Sequence, residues 1–429
     1  MTSGSMRARF VVVGDDAGTV FEPGEVAWED DRIAYVGPPR QGATERVIDL
    51  GEGVVAPGFV NGHTHAAMSL MRGLADDHRL MEWLNDHVWP LEAHLAPDDI
   101  RAGTLLAAAE MIRAGIVAYA DMYMEGAAMA EAARVSGLRA AIGWGITGDA
   151  ESGRDRLLEA ADLADELNRA GGPVTGWLAP HAPYTCTPEL LRDVADVAAQ
   201  RSLPIHIHLS ESEEEMRDIR ERYGLSPIAL AGREGILGPR TLAAHSVYLS
   251  DEDIAMLADT RTGVIHCPAS NLKLGNGVAR VPDLLAAGVA VGLGSDGAAS
   301  TNSLEMFQEM RLASWLQKSQ HGDPASFTAR QALALATHGG ARVLGLTSGV
   351  LEAGRPADLI GLNWWGAHVR PVLDPISSLV YASHPDDVRY TVVAGRILLD
   401  DGVITSFDEQ AVLREAEERT ATLLGRAGR

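Results

Sequence analysis

Cysteine is almost absent from this 429-residue chain, which holds only Cys186 and Cys267. Neither belongs to a Cys-x-x-Cys pair, and two residues cannot build a disulfide framework, so both are expected as reduced core thiols. Long apolar runs are missing too: no stretch approaches the roughly 20 residues of a membrane helix. The first fifteen residues lack a basic segment followed by an apolar core and a small-residue cleavage site, so nothing argues for secretion and the cytoplasm is the expected compartment. Positive charge is scarce, with 36 Lys and Arg against 59 Asp and Glu and a net charge of −23. No basic block offsets this. The chain would repel nucleic-acid phosphates and anionic lipid headgroups, so small molecules are the expected partners rather than nucleic acid or membrane. Lysine occurs only at Lys273 and Lys318.

What is present is the composition of a soluble globular protein, 46% hydrophobic and 22% charged. The length exceeds one compact core but suits a closed α/β barrel with a smaller accessory module. Short β-branched and aromatic runs at 9–13, 25–28 and 32–36 are separated by Gly, Pro and Asp turn signals. Similar runs return at 358–362, 389–393 and 396–400, with Gly395 as a hairpin turn. The expected organisation is a small β-sandwich built from both termini, residues 1–56 and 347–429, the latter ending in a helix, with a barrel over 57–346 inserted between them.

Within 57–346 the pattern becomes apolar runs alternating with Ala- and Leu-rich helical segments. Candidate strands cover 55–63, 116–122, 139–145, 174–181, 204–209, 241–245, 263–267 and 289–296, and candidate helices include 99–113, 189–201, 251–258 and 303–320. Eight alternations predict a (β/α)₈ TIM-type barrel, whose active sites form at the carboxyl ends of the strands. Ionisable residues end several runs: His63 and His65, Asp121, His181, His208, His245 and Asp296. The long excursion after the first strand, residues 66–95, is a candidate lid or substrate wall. Its Leu80, Leu84, His87, Val88 and Leu91 keep helical spacing, and Trp83 fits that packed face equally well.

The first strand ends Pro57-Gly58-Phe59-Val60-Asn61-Gly62-His63-Thr64-His65. Two histidines at i, i+2 on a strand leave one face about 7 Å apart, which suits one metal ion, and a catalytic zinc site takes about three protein ligands plus water. The fifth strand supplies His206 and His208 on one face, with Glu211 just beyond, where a general acid/base would sit. His206 lies deeper and reads as a core histidine. A carboxylate at Asp296 can close the metal shell and accept a proton from water whose pKa a metal lowers toward about 7. Binuclear barrels of this kind often bridge their ions with a carboxylated lysine on the fourth strand. Both lysines lie far downstream, so that bridge is excluded and a mononuclear site is preferred, with a carboxylate bridge still open.

Several segments together carry a family resemblance: Pro57 to His65, Met71-Arg72-Gly73-Leu74-Ala75-Asp76-Asp77, Trp89-Pro90-Leu91-Glu92, His181-Ala182-Pro183-Tyr184, His208 to Glu211, Ala244-His245-Ser246, Pro268 to Gly275, and Ser295 to Ser300. The chain resembles the amidohydrolase superfamily, in the branch of 5′-methylthioadenosine/S-adenosylhomocysteine deaminases and their chlorohydrolase relatives. The resemblance implies that His63, His65, His208 and Asp296 bind one divalent ion, zinc first and iron second. It implies that Glu211 shuttles a proton to the ring nitrogen, that His245 holds the attacking water, and that Asp296 takes part in proton transfer. Trp83 would lie along the base, Glu92 would meet the ribose hydroxyls and His181 would contact the substrate. Relatives often form homo-oligomers. Members that handle S-adenosylhomocysteine use two arginines for its distal part; here the second matches Arg156, or Arg154 in a looser alignment, while Trp144 stands at the first. The expected reaction is hydrolytic deamination of a 6-aminopurine nucleoside, with 5′-methylthioadenosine, 5′-deoxyadenosine or adenosine preferred over S-adenosylhomocysteine. The alternatives are another ring (a chloro- or amino-s-triazine, guanine or an oxidised purine), an aminodeoxyfutalosine-type nucleoside, and a non-catalytic ligand-binding barrel.

Overall fold

The computed structural model describes residues 3–41 and 46–429. Eight parallel strands form the central sheet: β1 (Phe59–Thr64), β2 (Ile116–Tyr123), β3 (Arg139–Ile146), β4 (Val174–Pro180), β5 (Ile205–Leu209), β6 (Thr241–His245), β7 (Gly263–His266) and β8 (Val291–Leu293). Each pairs with the next in chain order, and helices fill the connections, giving the TIM-type barrel that the alternation predicts. The ring closes just beyond β8, where the Asp296 N–H donates to the His63 carbonyl at 2.9 Å and the Ser295 N–H donates to Asn61 Oδ1 at 2.9 Å.

That closure depends on a glycine. A Cβ on Gly294 would stand 2.8 Å from the His63 nitrogen and 2.9 Å from its Cβ. Only a residue without a side chain lets the β8 end approach β1 closely enough to bring Asp296 beside the first-strand histidines.

The run expected as one strand over 55–63 is two strands in two sheets. Val54–Pro57 pairs antiparallel with Leu359–Leu362 in the accessory sheet, and Phe59–Thr64 opens the barrel. The chain changes sheet at Gly58, whose N–H donates to the Asp358 carbonyl and whose missing Cβ leaves room for Val117, 2.1 Å from where it would sit. The eighth run also contracts, to Val291–Leu293, and three residues further on the backbone is left-handed at Asp296.

Strands from both termini meet in a seven-stranded sheet ordered Val403–Ile404, Arg396–Asp400, Val388–Val393, Leu359–Leu362, Val54–Pro57, Phe10–Val12, Val20–Phe21. A four-stranded sheet of Arg32–Gly37, Gly24–Glu29, Ser3–Ala8 and Arg46–Asp49 covers it, and Met6, Val26, Trp28, Val55, Leu359 and Val392 form the core between them. The hairpin at Gly395 is a two-residue turn with positive φ at both Ala394 (49°) and Gly395 (72°), the conformation that matches strand twist.

The excursion after β1 is helical. A 3₁₀ turn, Ala66–Met71, is followed by a helix from Leu80 to Glu92 whose middle, Trp83–Val88, widens to a π turn. Pro90 accounts for the widening: it has no N–H to donate, and its ring would strike the carbonyl four residues back. The Trp89 N–H therefore reaches Leu84, five residues back. The C-terminal helix, Glu409–Arg426, lies against Pro97–Arg113, joined by Arg113–Glu409 and Arg419–Asp98 pairs, and Thr420 donates to the Leu70 carbonyl of the excursion. Among the described residues no helix is long and apolar enough to cross a membrane.

Candidate active site

At the carboxyl ends of the barrel strands lies a cavity of about 760 Å³. Of the eleven residues expected at the site, ten line it: His65, Trp83, Glu92, Trp144, Arg156, His181, His208, Glu211, His245 and Asp296. His63 sits just beneath, fully buried. Arg154 is not among the residues that line it.

The strand ends that carry these groups are strained. Ser210, His245, Ser246 and Asp296 all have left-handed backbone, with φ of 54°, 67°, 49° and 62°. Each such non-glycine residue costs on the order of 1–3 kcal/mol and persists only where its surroundings hold it. Here they do: the Val247 and Tyr248 N–H groups donate to the Ser210 carbonyl, the Ser246 N–H donates to Leu209, and the Asp296 N–H to His63.

The histidines are arranged as neutral ligands. The Nδ1–H of His65 donates to the Met122 carbonyl and that of His208 donates to the His181 carbonyl at 2.7 Å. With Nδ1 donating, the neutral form of each ring carries its lone pair on Nε2, and these two atoms face each other at 3.3 Å. His63 Nδ1 lies 2.7 Å from His206 Nε2, while its own Nε2 is buried without a hydrogen-bond partner. Burial pushes His63 down to about 4, so the ring is uncharged at neutral pH. Asp296 Oδ1 stands 3.4 Å from His63 Nε2 and 3.3 Å from His65 Nε2. Its carboxylate is held by Gly297 N–H, Ser270 Oγ and Ser300 Oγ at 2.7, 2.6 and 2.8 Å. Three converging imidazole lone pairs and one carboxylate oxygen are a donor set for a divalent cation, with the second ring nitrogens tied down as such sites require.

His63 also comes within reach of His245 and Cys267, but this grouping shares His63 and is a poor set of ligands. Burial, then the charges on Asp296, Glu309 and Glu211, pushes the Cys267 thiol well above its ordinary range, and the thiolate is the form that binds metal.

Glu211 is buried, and burial followed by the nearby Asp296 charge pushes its carboxyl well above the usual range, against a pull from Asn276. Its main chain is fixed by Glu215, which accepts from the Glu211 N–H at 2.7 Å and the Ser210 N–H at 3.2 Å. His245 donates from Nδ1 to Asn271 Oδ1 at 2.9 Å, leaving Nε2 as an acceptor 3.8 Å from Glu211 Oε2. The Thr185 hydroxyl donates to the Ala182 carbonyl, so its oxygen accepts from His181 Nδ1–H at 2.9 Å. His181, pushed down to about 3 chiefly by burial, thus offers a lone pair to the cavity. On the lid side, Glu92 is buried and accepts from the Tyr123 hydroxyl at 2.6 Å. Arg156 lies 4.1 Å over the Trp144 ring and is the one Arg or Lys among the described residues that line the cavity.

Asp121, grouped by sequence with the strand-end ionisable residues, belongs elsewhere. It caps the 3₁₀ turn, accepting from the Ala66 N–H at 3.0 Å, while its second oxygen is buried without a partner. Burial pushes it up to about 7. Between the unfolded value near 4 and this folded value, the unfolded chain releases a proton that the folded chain keeps, so stability falls as pH rises across that window. Asp121→Asn keeps the acceptor and removes the titration. In thermal melts it should gain on the wild type by about 1–3 kcal/mol between pH 5 and pH 8. A difference that stays the same at both pH values would contradict this.

Residues not singled out in the sequence for a role here include Tyr123, Ser270, Asn271, Asn276 and Ser300, each bonded to a predicted site residue. The motif Pro268 to Gly275 signalled that its segment mattered without saying what its side chains touch.

The amidohydrolase family model matches residues 54–398. The chain is 44% identical over 410 residues to a 5-methylthioadenosine/S-adenosylhomocysteine deaminase of Moorella thermoacetica, covering 94% of this chain and 96% of that protein. It is 43% identical over 414 residues to a 5′-deoxyadenosine deaminase of Methanothermobacter thermautotrophicus, covering 96% and 97%. Among solved structures it is similar to an adenosine deaminase from Xanthomonas campestris with bound zinc, with a TM-score of 0.94, 32% identity and 99% of each chain covered. Barrel, strand-end donor set and sequence likeness agree: the chain belongs to the amidohydrolase family.

Proposed function

We propose that this chain is a metal-dependent hydrolytic deaminase that converts a 6-aminopurine nucleoside to its inosine analogue and ammonia. The observation that carries the reading is the meeting, in one cavity, of the His63, His65, His208 and Asp296 donor set with a buried acid, Glu211, and a buried carboxylate on the lid, Glu92. A divalent ion held there, zinc by the chemistry of the set, would supply water with its pKa lowered toward about 7. The chain's own residues supply the rest. Glu211 gives its proton to the ring nitrogen, so that the six-membered ring can lose aromaticity as water adds at C6. His245 Nε2 accepts a hydrogen bond from that water, and Asp296 takes its proton and passes it to the departing amine, which leaves as ammonia. The remaining C6 hydroxyl proton returns to Glu211 as the carbonyl forms. Trp83 packs along the base, Glu92 accepts from the ribose hydroxyls, and His181 accepts from a substrate N–H or O–H.

Trp144 and Arg156 are assigned to the 5′ substituent. An amino-acid tail needs a partner for its carboxylate, and the cavity offers a single guanidinium already stacked on Trp144 and 3.7 Å from Glu159. A methylthio group or deoxy carbon can pack on the indole without one. The names of the relatives, which include both 5-methylthioadenosine and 5′-deoxyadenosine, support this class of substrate. We place the reaction in the cytoplasm, where thiols such as the buried Cys186 and Cys267 stay reduced. The test is ammonia release across adenosine, 5′-deoxyadenosine, 5′-methylthioadenosine, S-adenosylhomocysteine, guanine and a chlorotriazine. Turnover should be confined to the adenosine analogues, with kcat/KM for the 5′-methylthio and 5′-deoxy compounds about tenfold or more above that for S-adenosylhomocysteine. Equal or faster turnover of the homocysteine conjugate would overturn the role of Trp144, and turnover of only guanine or the triazine would overturn the substrate class.

A further inference from the structure

Residues 268–277, which follow β7, reach three of the reacting groups from one side. Ser270 Oγ donates to Asp296 Oδ2, Asn271 Oδ1 accepts from His245 Nδ1 at 2.9 Å, and Asn276 Nδ2 donates to Glu211 Oε1 at 3.0 Å. The segment is itself anchored. Glu309 accepts from the Ala269 N–H at 3.1 Å, and the Asn276 N–H donates to the Asn271 carbonyl at 2.7 Å. Gly275 and Gly277, on either side of Asn276, have φ of 70° and 104°, a conformation other residues adopt only under strain, so the backbone sets where the Asn276 amide points.

We propose that Asn276 is a positioning residue that holds Oε1 of Glu211, so that Oε2 alone carries the proton exchanged with the substrate. The inference rests on the deaminase reading above. The Asn276 amide presents its NH₂ to Glu211 Oε1, and an NH₂ group donates and cannot accept. A proton on Oε1 would then face another donor, which directs it to Oε2, the oxygen nearer His245. Glu215 fixes the main chain of Glu211, and Asn276, itself buried, fixes the side chain.

The groups facing Glu211 are His245 from β6, Asp296 beyond β8, Glu215 from the following helix, and Tyr184 and Cys267. Burial and Asp296 favour its acid form, and Asn276 is the neighbour whose hydrogen bond favours the carboxylate. Once the proton has left Oε2, the conjugate base meets a donor already in place at Oε1.

The test uses the metal-replete full chain with Asn276→Leu, which keeps volume and removes the donor, and Asn276→Asp, which is isosteric and replaces the donor with an acceptor. Both should lower kcat about 10- to 100-fold with KM changed by no more than about threefold. The alkaline limb of the kcat profile, where Glu211 loses its proton, should move to higher pH, since a lost donor favours the acid. A loop that is merely loosened lowers activity without moving that limb. Independently of turnover, the infrared carbonyl band of protonated Glu211, assigned by its absence in Glu211→Gln, should rise in frequency in Asn276→Leu. Unchanged kcat, an unmoved limb or an unmoved band overturns the inference. A wild type that deaminates no adenosine analogue overturns the deaminase reading instead.

Discussion

Glu211→Gln should lose about 10²- to 10⁴-fold in kcat on 5′-methylthioadenosine while binding the same metal and folding as the wild type. The substitution is isosteric, and a glutamine Oε1 can still accept from Asn276 Nδ2, as Glu211 does at 3.0 Å. Its backbone bonds to Glu215 are untouched. What disappears is the proton. The ring nitrogen must be protonated as water adds at C6, and Glu211, whose carboxyl burial pushes up, is the carboxyl that stands 3.8 Å from His245 Nε2. Steady-state kinetics together with zinc content by mass spectrometry of the metal would check this. A variant within tenfold of the wild type, with full metal content, would remove Glu211 from the chemistry.

His63→Ala should abolish turnover and metal binding together. His63 is fully buried and its Nε2 has no hydrogen-bond partner, a costly arrangement unless a cation completes it. Removing the ring leaves His65, His208 and Asp296 as an incomplete set and leaves His206, now bonded to His63 Nδ1, without its partner. Without the ion nothing would lower the pKa of the attacking water toward about 7, so a loss of at least about 10³-fold is expected. Chelation of the wild type should reproduce the loss and lower its melting temperature, because an ion that binds only the folded chain stabilises it. Turnover that survives both treatments would rule out a metal role.

Much of this architecture is legible in the chain because two signals coincide. Apolar runs of strand length alternate with Ala- and Leu-rich segments eight times, and His63, His65, His208, His245 and Asp296 stand at the ends of those runs, where a barrel opens. Local pattern fails where the outcome depends on which sheet a residue joins. Residues 55–63 read as one apolar run, and nothing local says that Gly58 hands the chain from the accessory sheet to the barrel. Ser3–Ala8, with no β-branched residue, becomes a strand only because Gly24–Glu29 and Arg46–Asp49 flank it. Asp121 ends a strand like the site residues but caps the 3₁₀ turn. Asn271 acts from the short helix Pro268–Lys273, anchored by Glu309, 40 residues from the amide it accepts from, and Asn276 from the turn after it, whose course is set by left-handed glycines. Such contacts have no period to detect.

The most direct test of the central claim is to run 5′-methylthioadenosine turnover in oxygen-18 water and analyse the products by mass spectrometry and ammonia assay. The account predicts one heavy oxygen at C6 of the inosine analogue, one ammonia for each nucleoside consumed, and no free base. Release of free adenine, or an inosine analogue without the heavy oxygen, would contradict hydrolytic deamination at this site.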